Sequence, residues 1–252
     1  MRLRLRQIAV AVEDLAAARA EVAAIFGLER SHCDPGVARY GLENAVYAFG
    51  NTFLELLTPV AEGTTVGRLL AKRGGDGGYM VILQTDAIAQ ARARIDAAGV
   101  RVVDRLDRER AGFTHLHPRD VGGTLLSIDY MDHWERWEWA GPEWERRAAR
   151  ANDLAIVAAE MQGDDPEGMA ARWSNLLDRR AAQAGDGWKI TLDEGELRFV
   201  PLRDERGEGL RAVDVRAAGA AEINALAAER AQIAPDGSLR LWGISIRVGS
   251  AF

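Results

Sequence analysis

The chain alternates between two hydrophobic rhythms. Residues 3–12, LRLRQIAVAV, swap apolar and polar positions and are rich in β-forming side chains, which predicts a strand. The following EDLAAARAEVAAIFGL puts Leu15, Val22, Ile25 and Phe26 on one helical face and reaches Gly27 as a C-terminal stop. Short β-rich runs come next at 37–41, 45–49 (AVYAF) and 52–58 (TFLELLT), separated by Gly and Asn turns. The order is β-α-β-β-β.

The same order returns. GYMVILQT (78–85) reads as a strand and DAIAQARARIDAAGV (86–100) as a helix stopped at Gly99, with strands at VRVVDRL, GFTHLHP and TLLSIDYM. A third copy runs through NDLAIVAAE (152–160), the helix DPEGMAARWSNLLD (165–178), KITLD and ELRFVP. A fourth, shorter copy opens at GLRAVDVRA (209–217) and continues through the helix AAEINALAAERA to strands ending in SLRLWGISIRV. One such unit cannot cover its own sheet, so units must pack in pairs. The expected organisation is one half over 1–131, a Trp-rich connector over 132–150 (DHWERWEWAGPEWERRAAR) that fits neither period, and a second half over 151–252.

Composition narrows the class. The 252 residues are 48% hydrophobic, and no apolar run approaches the ~20 residues of a membrane helix. The basic start MRLRLRQ resembles a leader only until Glu13 and Asp14 interrupt the apolar stretch, so it reads as a first strand. The single cysteine, Cys33, leaves no intramolecular disulfide and fits a reducing cytoplasm, and the richness in Ala and Arg suggests a bacterial source. A net charge of −6 with scattered arginines offers nucleic acid no basic stripe. GGDGG (74–78) has phosphate-loop glycines but no Lys-Ser/Thr pair, and reads as a hinge.

IAVAVEDL at the start of the first unit, GNTFLELLTP at its end and HPRDVGGTLLSID at the end of the second together resemble the vicinal oxygen chelate superfamily. That superfamily includes glyoxalase I, methylmalonyl-CoA epimerase, extradiol dioxygenases and bleomycin-resistance proteins. ELLTP and HPRDVGG are most similar to the epimerase and glyoxalase branch. The resemblance covers 1–131; over 152–252 repeat order carries it. It implies an α+β fold of four βαβββ units paired into two curved-sheet halves, with a metal held in a concave face. Carried over by position, the four ligand places fall on Gln7, Glu55, Met80 (beside Tyr79) and Ser127.

Only Glu55 is a strong donor for a Lewis-acid metal. Gln7 is a neutral amide, Met80 a soft thioether and Ser127 a neutral hydroxyl, a set that balances a divalent cation poorly. The second half places Leu154, Leu197, Leu210 and Ser245 near the equivalent positions and contains no histidine after His133. No metal ligand is therefore assigned and no cofactor is expected, a divalent ion at Gln7 and Glu55 being the disfavoured alternative. The expected site has Glu55 as a general base, with Gln7, Tyr79, Met80, Ser127 and His117 lining the ligand. Each has a plainer alternative: Glu55 as an outward acid, His117 as the cap of its turn, His115 and His32 as surface or strand-edge residues. The four connector tryptophans, Trp134, Trp137, Trp139 and Trp144, read as rings packed across the seam between the halves, or else as a partner-binding or lid element. Two functions follow from the resemblance: a glyoxalase-like lyase or isomerase moving a proton next to a carbonyl, or a metal-free ligand-binding protein of the bleomycin-resistance type. A small-molecule ligand is expected, with no nucleic acid or membrane partner, in a monomer or homodimer.

Overall fold

The structure is a computed structural model describing residues 1–149, 153–230 and 232–251. The connector's last residue (150), the residue opening the expected third-unit strand (152) and the last residue of the fourth helix (231) lie outside the described residues.

The first repeat folds as β1 (Leu3–Ala11), α1 (Leu15–Phe26), β2 (Leu42–Phe49) and β3 (Thr52–Pro59), followed by α2 (Thr65–Arg73). The second is β4 (Gly77–Thr85), α3 (Ile88–Ala97), β5 (Val102–Asp107), β6 (Ala111–Leu116), a short α4 (Pro118–Val121) and β7 (Leu125–Met131). A 3-10 turn over Glu138–Ala140 and α5 (Trp144–Ala148) form the connector. The third repeat is β8 (Ala155–Gly163), α6 (Pro166–Leu177), β9 (Ala181–Ala184), β10 (Gly187–Thr191) and β11 (Glu196–Pro201). The fourth is β12 (Gly209–Arg216), α7 (Ala220–Glu229), β13 (Leu239–Leu241) and β14 (Ile244–Gly249).

The α+β architecture is the expected one, with two curved seven-stranded sheets. Their strand orders are β2-β3-β1-β4-β7-β6-β5 and β13-β14-β12-β8-β11-β10-β9. Each sheet is one strand short of eight, and one missing strand is the run expected at 37–41. There Asp34 accepts the Gly36 N–H at 2.8 Å, Pro35 fixes its own φ, and the chain turns into a 3-10 helix, Pro35–Tyr40. Gly41 ends it in the left-handed region at φ 71°.

Contacts divide the chain into two compact units. One contains Met1–Arg6, Met80–Glu138 and Ala158–Leu210; the other contains Gln7–Tyr79, Trp139–Val157 and Arg211–Phe252. In the first, α3 packs against α6, and the Trp173 indole N–H on α6 donates to the Val121 carbonyl at 2.7 Å. The guanidiniums of Arg2 and Arg4 both lie over the Trp134 ring, 4.2 and 4.3 Å from its centroid. Arg4, only 1% exposed, also donates from Nε to Gln84 Oε1 at 3.1 Å, to the Trp134 carbonyl, and from Nη1 to Glu194 at 3.2 Å. A buried arginine is tolerated because each of these groups accepts from it and the indole face attracts its charge.

In the second unit α1 packs against α7 and over one face of β2 and β3. Asp14 caps α1 by accepting the Ala17 N–H at 2.9 Å, and Gly27 closes it at φ 69°. Phe26 meets Phe49 edge-on at 5.3 Å, which assigns α1 to the face carrying Ala45, Tyr47, Leu54 and Leu56. The opposite face carries Phe53, Glu55 and Leu57, and there α5 lays Trp144 edge-on against Phe53 at 5.3 Å. The hairpin joining β2 to β3 is two residues long, pairing Phe49 with Thr52 across Gly50 and Asn51. Gly50 is required: its φ is 56°, and a Cβ there would lie 2.6 Å from the Leu154 carbonyl oxygen.

Candidate functional site

Register brings the expected residues together. Parallel pairing sets Ala9 of β1 beside Glu55 of β3, and antiparallel pairing sets Val46 of β2 on its other side. Side chains alternate along a strand, so Gln7 on β1 and Asn44 on β2 share the face of Glu55. Gln7 Nε2 donates to Glu55 Oε2 at 2.7 Å, and Asn44 Nδ2 donates to Oε1 at 2.7 Å. Asn44 Oδ1 in turn accepts the Asp34 backbone N–H at 2.9 Å, which settles which end of the amide faces the carboxylate. The loop bearing Asp34 is pinned to the sheet edge by His32, which exchanges two 2.8 Å backbone hydrogen bonds with Val46.

Glu55 is therefore inward, 6% exposed, among Gln7 at 2% and Asn44 at 1%. Burial pushes its carboxyl from 4.5 up to about 7, and the nearby Asp34 carboxylate adds to the rise. The amides of Asn44 and Gln7 favour the anion and oppose the shift without cancelling it. A carboxyl poised near neutrality can take a proton in one protonation state and return it in the other.

Tyr79, half-buried at the start of β4, lies in the same unit. Its hydroxyl is 3.0 Å from the Thr65 hydroxyl on α2, and burial together with the negative charge of Glu55 raises its pKa above the usual phenol value. The phenol therefore stays neutral and able to donate.

The other expected residues belong to the first unit. Met80 is buried at 6% exposure, beside Leu125 in the β4–β7 pairing. Ser127 is fully buried, and its hydroxyl donates to Asp129, a carboxylate two residues on that sequence reasoning overlooked. His117 caps α4: its Nδ1 accepts the Arg119 N–H at 3.2 Å, and Arg101 reaches across to hold Asp120 at 2.6 Å.

Asn44 was also overlooked, although an asparagine inside the apolar strand LENAVYAF is itself a signal, since a buried amide needs a polar partner. For a metal, the set fits poorly. Both oxygens of the one carboxylate already accept from amide N–H groups, which point hydrogen where a cation would have to approach. Among the described residues no three His, Cys, Asp or Glu side chains gather as metal ligands would, and no helix is long and apolar enough to cross a membrane.

Comparison with known proteins agrees with this architecture. An ethylmalonyl-CoA/methylmalonyl-CoA epimerase from Cereibacter sphaeroides is 29% identical over 132 residues, spanning 51% of this chain and 98% of that protein. The mitochondrial methylmalonyl-CoA epimerase of Bos taurus is 29% identical over 129 residues, 50% of this chain and 73% of that protein. A solved structure of a hypothetical protein from Staphylococcus aureus matches 98% of this chain and 99% of its own with a TM-score of 0.66. Its 12% identity makes that a likeness of fold alone. The family model described as Glyoxalase-like domain matches residues 8–177, and with the repeat architecture this shows that the chain belongs to the Glyoxalase-like domain family.

Proposed function

We propose that the protein is an isomerase that moves a proton at a carbon next to a carbonyl, with Glu55 as the base and an acyl thioester as substrate. The observation that carries this is the buried Glu55 carboxyl, pushed up to about 7 while two amides hold both its oxygens. The epimerase relatives supply the substrate class: a malonyl-type thioester, whose central C–H lies between two carbonyl carbons.

In this scheme Glu55 accepts the C–H proton, and the electron pair moves into the adjacent carbonyl as an enolate. Gln7 and Asn44 keep the carboxylate in one orientation throughout. The neutral Tyr79 hydroxyl is the donor in the same unit suited to hydrogen-bond the enolate oxygen. Water gives a proton to the opposite face of the carbon, which completes the inversion, and Glu55 releases the abstracted proton to the hydroxide left behind, which restores its carboxylate. No step runs through a metal, because the donor set does not suit one.

Ligand binding without turnover is the second proposal, favoured by the engagement of both Glu55 oxygens within the protein. The experiment is exchange of the substrate α-proton for deuterium in D2O, followed by NMR with methylmalonyl-CoA and ethylmalonyl-CoA. Exchange by the wild type that vanishes in Glu55→Gln, with the melting curve intact, supports the base. Binding without exchange points to the second proposal. Ligand-binding roles for Met80, Ser127 and His117 are part of the same proposal, and Ser127→Ala or His117→Ala with unaltered KM would remove them.

A further inference from the structure

The second unit also contains a cleft of about 510 Å³ between the end of α1, the loop after it, and α5. Four guanidiniums line it, Arg19, Arg30, Arg146 and Arg147, against two carboxylates, Glu29 and Glu143. On a chain whose net charge is −6, this is a local excess of positive charge.

The arginines are differently committed. Arg146 pairs with Glu143 at 2.9 Å where both are well exposed, an arrangement worth little to stability. Arg19 hydrogen-bonds the Tyr47 hydroxyl, which Ser31 of the cleft also touches. Arg147 donates to the carbonyls of Ala140 and Pro142, while its Nε–H is buried without a hydrogen-bond partner among the described residues. Arg30 is exposed and forms no ion pair among the described residues. Planar forks of this kind suit phosphate oxygens, and the volume lies within the range of small-ligand sites.

The cleft lies at the β2 edge of the sheet, with α1 on the face away from Glu55 and α5 on the face that carries it. The loop of Ser31 continues to Asp34, whose N–H holds the amide that holds Glu55. The helix of Arg146 and Arg147 begins with Trp144, packed on Phe53 of the strand and face that carry Glu55.

We infer that this cleft is a subsite for the phosphate groups of a ligand's tail, whose acyl end is turned over at Glu55. The inference rests on the thioester proposal above, and the phosphorylated adenosine end of such a thioester has the matching chemistry.

The test is calorimetric titration with adenosine 3′,5′-bisphosphate and, separately, inorganic phosphate, at low and at physiological salt. The proteins are wild type, the double variant Arg30→Ala/Arg146→Ala, a charge-matched control Arg105→Ala/Arg110→Ala, and Glu55→Gln. Both altered cleft arginines are exposed, so the fold should survive. The expected result is bisphosphate binding that weakens at least about tenfold in the cleft variant and is unchanged in the control and in Glu55→Gln. Absence of bisphosphate binding by wild type, or equal binding by the cleft variant, overturns the subsite. Inorganic phosphate binding as tightly as the bisphosphate overturns the tail and leaves a free-anion site. Calorimetry does not depend on turnover, so failure of the isomerase proposal shows separately, as absent α-proton exchange.

Discussion

Asn44 donates to Oε1 of Glu55 at 2.7 Å while its own carbonyl oxygen accepts from the backbone of Asp34. One side chain thus ties the edge loop to the carboxylate. Replacing it with leucine leaves Oε1 buried without its donor and orphans the Asp34 N–H. Asn44→Leu should raise the Glu55 pKa above about 7 and cost about 1–3 kcal/mol at pH 8. Titration of the labelled Glu55 carboxyl by NMR, beside urea melts, reads both; an unmoved pKa would show that Asn44 does not support the anion.

The raised pKa has a sign in stability. Glu55 is protonated in the folded state up to about 7 but releases its proton near 4.5 when unfolded. Its protonated form therefore favours the fold fully below pH 4.5, and that contribution is lost as pH climbs through 7. The loss amounts to about 3 kcal/mol. Glu55→Gln should flatten the stability profile across this window and leave the variant relatively more stable at pH 8. An unchanged profile would mean that Glu55 titrates as an ordinary acid.

Trp144 covers the Phe53 face and is 9% exposed. Trp144→Ala should destabilise by about 3–5 kcal/mol through lost packing. Water then reaches the carboxylate, so the Glu55 pKa should fall back toward 4.5. Melting and the same NMR titration separate the two effects, and loss of stability with the pKa unmoved would detach the connector from the site.

In the other unit, Arg4→Lys should cost about 2–4 kcal/mol. One ammonium cannot serve Gln84 Oε1, the Trp134 carbonyl and Glu194 together, nor lie flat on the indole. Urea denaturation would read it; a cost below about 0.5 kcal/mol would mark the network as incidental.

Dialysis against a chelator should leave the melting temperature in place, since a resident ion bound to the folded state would raise it by mass action. A large drop, restored by one metal, would overturn the metal-free proposal.

The sequence showed the repeats clearly because strand alternation and helix caps are local. Asp14 and Gly27 bracket α1 as their chemistry requires. Helix α2 passed unnoticed although Thr64, Lys72, Arg73 and Gly74 are a cap, two basic residues in the last turn and a stop. Its nine residues lay between two stronger strands. The run at 37–41 misled because Val37 and Tyr40 resemble strand residues, whereas Pro35 and the Asp34 cap upstream decide the backbone. For the site, the resemblance to the vicinal oxygen chelate superfamily, carried over by position, named Gln7 and Glu55 together. Asn44 was signalled as an amide in an apolar strand, but its partner could not be named because that depends on the β2–β3 register, which is set by the turn.

That hairpin makes loop length a functional quantity. With only Gly50 and Asn51 between the strands, one inserted codon would shift β3 by one place and turn every side chain after it to the other face. Leu54 would then occupy the position between Gln7 and Asn44, and Glu55 would be buried under α1 with neither amide to meet it. Two inserted codons would restore the parity but set Phe53, not Glu55, between Gln7 and Asn44. Any insertion that shifts this register would thus silence the site without changing any residue that composes it.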